Sequence, residues 1–444
     1  MSMNVCVIGA GKMGLPLACH FASGGASVLA CDVNPLVVDK INSGICPIDE
    51  PDLPELLAAV VQQSRLKATI DTVEAVKQSE VVVVIVPVVL TGDHRADMSV
   101  VESVTRQISQ GLHRGVLVCY ETTLPVGATR GYLLPLLEDS GFKAGQDFFL
   151  AYSPERVKSQ VVMSRLGQTP KIVGGIEKQS AQQAEAFYRK YLGAPVINLG
   201  TVEAAEMVKL AGMVYRDVNI ALMNELARYA EAAEIDIEQV VEAANTDGET
   251  HLLRPGIGVG GHCTPVYPYF LIHDAEKRGA PITLAERARQ TNDSQATHAV
   301  NRLQKALGSL GGTHVLILGL GFRPQVKEHM CSTAFLLRDE LLRRGAEVRL
   351  HDPLYTDAEL QAHGFTPGKL SADPAPEVLI LNTAHAVYND LDLAQMSTRG
   401  LKAVFDGRLF WKPDVVRRHG LLYLGIGRPE ERWTGKQAGE SETS

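Results

Sequence analysis

Residues 256–263 read Gly256-Ile257-Gly258-Val259-Gly260-Gly261-His262-Cys263, a glycine-crowded run that delivers one thiol. Glycine tolerates positive φ and close approach, so such a run can set a cysteine against a bound molecule rather than inside a core. A lone cysteine is more often a small buried hydrophobe. Here the chain also opens with a glycine loop of dinucleotide-binding form, and a thiol beside a hydride acceptor points to oxidation through a thioester. Two other groups could serve that chemistry. Glu155, in Ser153-Pro154-Glu155-Arg156, follows an expected strand and could act as a general base for water. Lys209 shares a helical face with Met213 and Arg216 at i+4 and i+7, where it would stabilise an oxyanion. Each also has the ordinary reading of a solvated charge.

The elements that must position these groups follow from hydrophobic pattern. Asn4 to Ile8 reads as a buried strand, Gly9-Ala10-Gly11-Lys12-Met13-Gly14 as a turn, and Leu15 to Ala22 as a helix. Gly9, Gly11 and Gly14 supply the tight turn, the approach to a pyrophosphate and the helix–sheet packing. The second strand, Ser27 to Cys31, ends at Asp32, a carboxylate that can bond ribose hydroxyls and would repel a 2′-phosphate, favouring NAD over NADP. Strands are expected at Val81–Val86, Gly115–Cys119 and Phe148–Ala151, as in a doubly wound parallel sheet. A helix from Ala204 to Ala233 would span about 45 Å, long enough to reach beyond one small domain and suggest a dimer contact. A further helix covers Ile237 to Ala244. A second α/β unit begins near Gly312, with strand Val315–Leu318, glycine turn Gly319-Leu320-Gly321, helix Ala334–Arg344 and a strand leading to Asp352. Arg408 follows a strand at Ala403–Phe405, and its planar guanidinium suits a diphosphate. The glycine turn after Leu318 could cradle a nucleotide or simply join strand to helix.

These patterns predict an α/β protein with two Rossmann-like doubly wound domains joined by a long central helix and a helical dimerisation domain. The expected divisions are 1–200, 201–300 with the cysteine loop, 301–430, and a disordered tail at 431–444. A cleft between the two α/β units is the expected meeting place of two ligands. With 444 residues and 45% hydrophobic composition the chain can bury such cores. A net charge of −8 argues against nucleic acid or an anionic membrane as partner. Seven scattered cysteines without CxxC spacing fit a reducing cytoplasm and neither a disulfide framework nor a metal site. No apolar run of membrane-spanning length is present near the start, and no cleavable signal pattern precedes the first strand.

From Val5 to about Arg418 the chain resembles the UDP-glucose/GDP-mannose dehydrogenase family. The stretches that carry the resemblance are GAGKMGLPLA, DVNPLVVDKINSGICPIDEPDL, ETTLPVGAT, YSPERV, VKLAGMVYRDVNIALMNELA, PGIGVGGHCTPVYPYFL, GLGFRP, HDP and FDGR. The PGxGVGGHC form is closer to the branch acting on UDP-N-acetylhexosamines. The resemblance implies oxidation of a sugar C6 alcohol to a carboxylate with two NAD+, and a homodimer through the central helix. It assigns Cys263 to the thiohemiacetal and thioester, Lys209 to charge stabilisation, Glu155 to thioester hydrolysis and Thr123 to positioning water. NAD would contact Gly9, Gly11, Lys12, Met13, Gly14, Asp32, Val86, Pro87, Thr122 and Thr123. The nucleotide sugar would contact Glu155, Arg156, Lys209, Arg216, Arg254, Gly260, Phe322, Arg323 and Arg408.

The chain also departs from the family pattern. Tyr267 stands where an aspartate cooperates in deprotonating the alcohol, and Met213 stands where an asparagine supports the oxyanion or water. Val86-Pro87-Val88-Val89 replaces VPTP and loses a hydroxyl. Glu249 and Met330 align with two arginines, and Arg323 with a lysine. A phenol ordinarily titrates near pH 10, so Tyr267 would be a poor base at neutral pH. Three readings therefore stand on the sequence: a UDP-sugar 6-dehydrogenase, a relative that stops at the aldehyde or uses NAD without net redox change, and a binding protein without turnover.

Overall fold

The computed structural model describes residues 2–371 and 374–429. The tail at 431–444 lies outside the described residues. Strands form where aliphatic runs can be covered on both faces. Val5 to Ile8 are all buried, as are the four consecutive valines Val81–Val84. The first sheet contains β1 (Asn4–Ile8), β2 (Ser27–Cys31), β3 (Leu66–Thr69), β4 (Val81–Val84), β5 (Leu117–Tyr120), β6 (Phe149–Tyr152), β7 (Lys171–Gly175) and β8 (Val196–Thr201). Their order is β8-β7-β6-β5-β4-β1-β2-β3. Strand β7 runs antiparallel to β6, and the other neighbours are parallel. The order reverses between β1 and β4, the switch point where doubly wound sheets take ligands.

Strands β4, β5 and β6 differ at their boundaries from the sequence expectation. Strand β4 stops at Val84 instead of Val86, because the Val86 carbonyl leaves the ladder to accept the Thr122 hydroxyl at 2.8 Å. Strand β5 starts at Leu117 rather than Gly115, which takes φ of 86° in the preceding turn. Strand β6 is displaced by one residue from the expected Phe148–Ala151.

The second sheet contains β9 (His314–Leu318), β10 (Glu347–His351), β11 (Val378–Leu381), β12 (Ala403–Asp406) and β13 (Leu422–Gly425). It is entirely parallel, in the order β10-β9-β11-β12-β13. Both sheets are doubly wound but they are not copies. The first contains the dinucleotide-binding order, and the second has the shorter order with its switch point between β9 and β11. Its glycine turn is also separated from the next helix, Thr333–Arg343, by an irregular segment.

The long helix spans Val202–Ala232, two residues earlier than expected at its start, and is followed by Ile237–Ala244 as expected. Further helices cover Tyr267–Lys277, Thr283–Asp293 and Gln295–Leu307. The described residues form two compact units: those up to Gly212 with Tyr269–Ala280, and Met213–Pro268 with those from Pro281 onward. In the second unit Met223, Ala227 and Ala230 of the long helix share a buried cluster with Ile237, Val241 and Ile426. Among the described residues, no helix is long and apolar enough to cross a membrane.

Candidate active site

The three glycines of the first turn meet different demands. Gly9 takes φ of 102° and donates its N–H to Cys31 at 2.8 Å, and a Cβ there would lie 2.7 Å from the Ile85 carbonyl oxygen. A Cβ on Gly14 would lie 1.8 Å from the Gly9 oxygen. At Gly11 a Cβ would meet nothing within 4 Å among the described residues. The fold itself therefore requires Gly9 and Gly14, whereas the space over exposed Gly11 is open to a ligand. The helix Gly14–Ser23 begins there, Met13 supplies no side-chain cap, and Lys12 is exposed beside it. An uncapped helix start with its dipole directed at open space suits a pyrophosphate.

Asp32 closes the same turn. Its Oδ2 accepts the Ala10 N–H at 3.2 Å and its Oδ1 accepts the Asn34 N–H at 2.9 Å. The residue is only partly buried, so lone pairs remain for ribose hydroxyls. This turn fits NAD. At the neighbouring strand ends Val86 is buried, Pro87 is exposed, and Thr122 spends its hydroxyl on the Val86 carbonyl.

Glu155 and Lys209 are brought together in the first unit. The Lys209 ammonium donates to the backbone carbonyl of Glu155. The Glu155 carboxylate is buried; its Oε1 accepts the N–H groups of Arg156 and Val157, both at 2.6 Å. Its Oε2 accepts from Lys171 Nζ at 3.0 Å, and the same ammonium donates to Glu121 Oε2 at 2.5 Å. Burial opposes ionisation of Glu155, but Lys171, the Val157 N–H and Lys209 outweigh it and hold the carboxyl below its usual range. At Glu121 burial prevails over Lys171, and the carboxyl is pushed up. The loop after Glu155 is anchored by Glu50, which accepts the N–H groups of Gln160 at 2.5 Å and Val162 at 2.7 Å.

Thr123 is buried three residues beyond β5, and the chain after it is fastened by Glu206. The fully buried Glu206 carboxylate accepts the Gly127 N–H at 2.5 Å, the Thr129 N–H at 2.9 Å and the Thr129 hydroxyl at 2.6 Å. Burial outweighs these donors and pushes its pKa up to about 7. Glu206 precedes Lys209 by about one helical turn, so one element presents the lysine and secures the loop following Thr123.

Cys263 is half-buried in the second unit. Its loop is held by Gly256 N–H to Asn224 Oδ1 at 3.0 Å, Ile257 N–H to Gly407 O at 3.0 Å and Gly261 N–H to Met330 O at 2.8 Å. The glycines answer chiefly to the protein's own packing. A Cβ at Gly260 would lie 2.5 Å from Phe322 Cβ, and one at Gly258 would lie 2.5 Å from Thr333 Oγ1. Tyr267 starts the next helix and donates its N–H to the Cys263 carbonyl at 2.9 Å.

The expected substrate residues of the second unit divide by how they are engaged. Phe322 packs under Gly260 and Gly261, and Arg323 pairs with Glu328 at 3.4 Å. Arg408 donates Nε to the Asn382 carbonyl at 2.6 Å and Nη1 to the Gly258 carbonyl at 3.3 Å, so it braces the cysteine loop. Its burial lowers its pKa to about 10, with Asp406 acting in the opposite direction. Arg254 pairs with Glu238 at 3.3 Å and Glu242 at 3.7 Å. Arg216 is exposed on the long helix, whereas in the first unit Arg156 donates to the Pro170 carbonyl. Asp352, the counterpart of Asp32, is buried and accepts the N–H groups of Leu320 at 2.7 Å and Gly321 at 3.1 Å. Sequence reading passed over Lys171, Glu121 and Glu206. Lys171 heads the apolar run Ile172–Val173, where a buried ammonium needs a counter-charge, but the pattern does not name its partner.

Comparison with known proteins agrees with this architecture. Residues 3–192 match the NAD binding domain of the UDP-glucose/GDP-mannose dehydrogenase family, residues 203–294 its central domain and residues 316–413 its UDP binding domain. The chain is 32% identical over 428 residues to a UDP-N-acetyl-D-mannosamine dehydrogenase of Pyrococcus horikoshii, covering 96% of this chain and 99% of the relative. It is 31% identical to a UDP-N-acetyl-D-glucosamine 6-dehydrogenase of Pseudomonas aeruginosa, covering 88% and 92%. The solved structure of the P. horikoshii protein matches with a TM-score of 0.88, covering 96% of this chain and 99% of that one. A Methanosarcina mazei NDP-N-acetyl-D-galactosaminuronic acid dehydrogenase matches at 0.85 with 28% identity, covering 96% and 95%. The chain thus belongs to the UDP-glucose/GDP-mannose dehydrogenase family and carries its NAD-binding, central and UDP-binding domains in order.

Proposed function

We propose that this protein oxidises the C6 alcohol of a UDP-N-acetylhexosamine to the carboxylate, using two NAD+ for each sugar. The observation that carries this reading is the seat of Cys263, a half-buried thiol on a loop fixed by backbone bonds on both sides. The relatives named for UDP-N-acetylhexosamines support the substrate class. Gly9, Gly11, Lys12, Met13, Gly14, Asp32, Val86, Pro87, Thr122 and Thr123 are the residues assigned to NAD, which supplies a hydride acceptor when bound.

After the alcohol becomes an aldehyde, Cys263 Sγ bonds to C6 as a thiohemiacetal. Loss of a second hydride from C6, together with the hydroxyl proton released to solvent, gives the thioester. Water then adds to the carbonyl carbon while its proton passes to Glu155, the C–S bond breaks, and the Cys263 thiolate departs. Lys209 offsets the negative charge on the oxygen during these steps, and Thr123 orients the water. Arg156, Arg216, Arg254, Gly260, Phe322, Arg323 and Arg408 are assigned to holding the nucleotide sugar. Arg408 also keeps the cysteine loop in register through the Gly258 carbonyl.

The reading includes a homodimer joined by the long helix. Its support is a stripe of exposed apolar residues, Tyr215, Leu222, Leu226 and Tyr229, spaced to share one helical face. A cytoplasmic setting and supply of uronate to polysaccharide biosynthesis complete the proposal. The test is incubation with NAD+ and a panel of UDP-N-acetylhexosamines. The expected result is two NADH per sugar, a product heavier by about 14 Da, and loss of both in Cys263→Ser. A full panel that yields no NADH overturns it.

A further inference from the structure

The buried charges behind Glu155 form a unit of their own. Lys171 is 5% exposed and lies between Glu121, with a 0% exposed side chain, and Glu155, with a 10% exposed one. The three come from successive neighbouring strands: Glu121 just beyond β5, Glu155 in the loop after β6, and Lys171 at the start of β7. One ammonium thus bridges two carboxylates, and a buried carboxylate left without such a partner is costly. Glu121 Oε1 also accepts the Tyr188 hydroxyl at 2.7 Å, and the Tyr188 ring lies 5.1 Å from Lys171 Nζ. The other titratable groups facing the cluster are Cys119 on β5 and Lys209 on the long helix.

The geometry points to Lys171 as a positioning residue for Glu155: it fixes the carboxylate by a direct ion pair while bridging it to Glu121. This inference rests on the proposed role of Glu155 in thioester hydrolysis. Two features distinguish the carboxylates. Glu155 combines the ion pair with two backbone N–H donors, whereas Glu121 has the ion pair and one phenol. The first set favours the ionised form more strongly, in agreement with the opposite displacements of the two carboxyls. Glu155 then stays ionised at neutral pH, with its carboxylate held by Lys171 and two backbone N–H groups.

The experiment uses the full chain with Lys171→Met, Lys171→Arg and Glu121→Gln. The titration of Glu155 is followed by 13C NMR of labelled glutamate, assigned with Glu155→Gln. In the wild type and Glu121→Gln, Glu155 should show no titration between about pH 5 and 9; in Lys171→Met a step should enter that range, and Lys171→Arg should remove it. With substrate, Lys171→Met should release an initial burst of NADH, then turn over roughly a hundredfold more slowly while a covalent adduct on Cys263 accumulates by intact mass. Arginine at 171 should restore most of the rate. A folded Lys171→Met whose Glu155 still does not titrate overturns the inference. So does a step appearing in Glu121→Gln, which serves as the test if Lys171→Met fails to fold. If the wild type turns over no nucleotide sugar, the proposed function falls, while the titration still decides the role of Lys171.

Discussion

Replacing Gly11 by alanine separates the two reasons a glycine can stand in the first turn. Gly11 has no positive φ, and an added Cβ would meet no described atom within 4 Å. The apo protein should therefore keep its stability within about 0.5 kcal/mol, or gain slightly from the reduced freedom of the unfolded chain. A methyl in the open space should instead displace a bound pyrophosphate from the helix start. Losing one hydrogen bond to a charged group costs about 1.5–3 kcal/mol, which corresponds to a rise in the NAD+ Kd of about 10- to 150-fold. The internal control is Gly14→Ala, whose Cβ would lie 1.8 Å from the Gly9 carbonyl oxygen. That overlap should destabilise the fold by more than about 4 kcal/mol. Urea denaturation measures the first quantity and calorimetric titration with NAD+ the second. A folded Gly11→Ala protein that binds NAD+ as the wild type does would falsify the assignment of that open space to the cofactor.

Two further outcomes test the first unit and the cysteine loop. Glu206 has a pKa raised to about 7 from 4.5, so the folded state holds its proton more tightly than the unfolded chain; this stabilising contribution is complete below about pH 4.5 and is lost as pH rises through 7. Wild type should consequently lose about 3 kcal/mol relative to Glu206→Gln between pH 4.5 and 8, read from denaturation midpoints, whereas a difference independent of pH would count against the buried carboxyl. Tyr267→Asp restores a carboxylate at the family position and should raise the initial rate of NADH formation about 10- to 100-fold at neutral pH; an unchanged rate would show that Tyr267 does not limit removal of the alcohol proton.

The legibility of the sequence followed the range of the interactions. Strand β2 and the helix Ile237–Ala244 fall where the apolar pattern puts them, because local periodicity is enough to define them. The first glycine turn was also readable, since strand, turn, helix and terminal carboxylate occur within one short segment. The cluster of Glu121, Glu155 and Lys171 was not. Its members are separated by 34 and 16 positions, and only the order β7-β6-β5 brings them together. The purpose of the glycines before Cys263 was equally hidden. The closest neighbours of Gly258, Gly260 and Gly261, Phe322 and Thr333, are more than 60 residues away in sequence, and no local signal distinguishes room for a ligand from room for a side chain.

The two α/β units place an aspartate at the same point, after the second strand of each sheet, yet use it differently. Asp32 is partly exposed and bonds one N–H of its glycine turn, leaving acceptor capacity for a sugar hydroxyl. Asp352 is buried, bonds two N–H groups of its turn and a third at Leu354, and lies 3.3 Å from His385 Nε2. Its acceptor positions are thus taken up internally. The helix after the first turn starts at once with an open N-terminus, whereas the second turn is followed by a segment whose Phe322 seats the cysteine loop. Repetition of strand, glycine turn and aspartate therefore does not imply two equivalent dinucleotide sites. In the first unit the motif leaves open the surface that NAD requires; in the second it is closed on itself, and the adjoining chain supports the thiol.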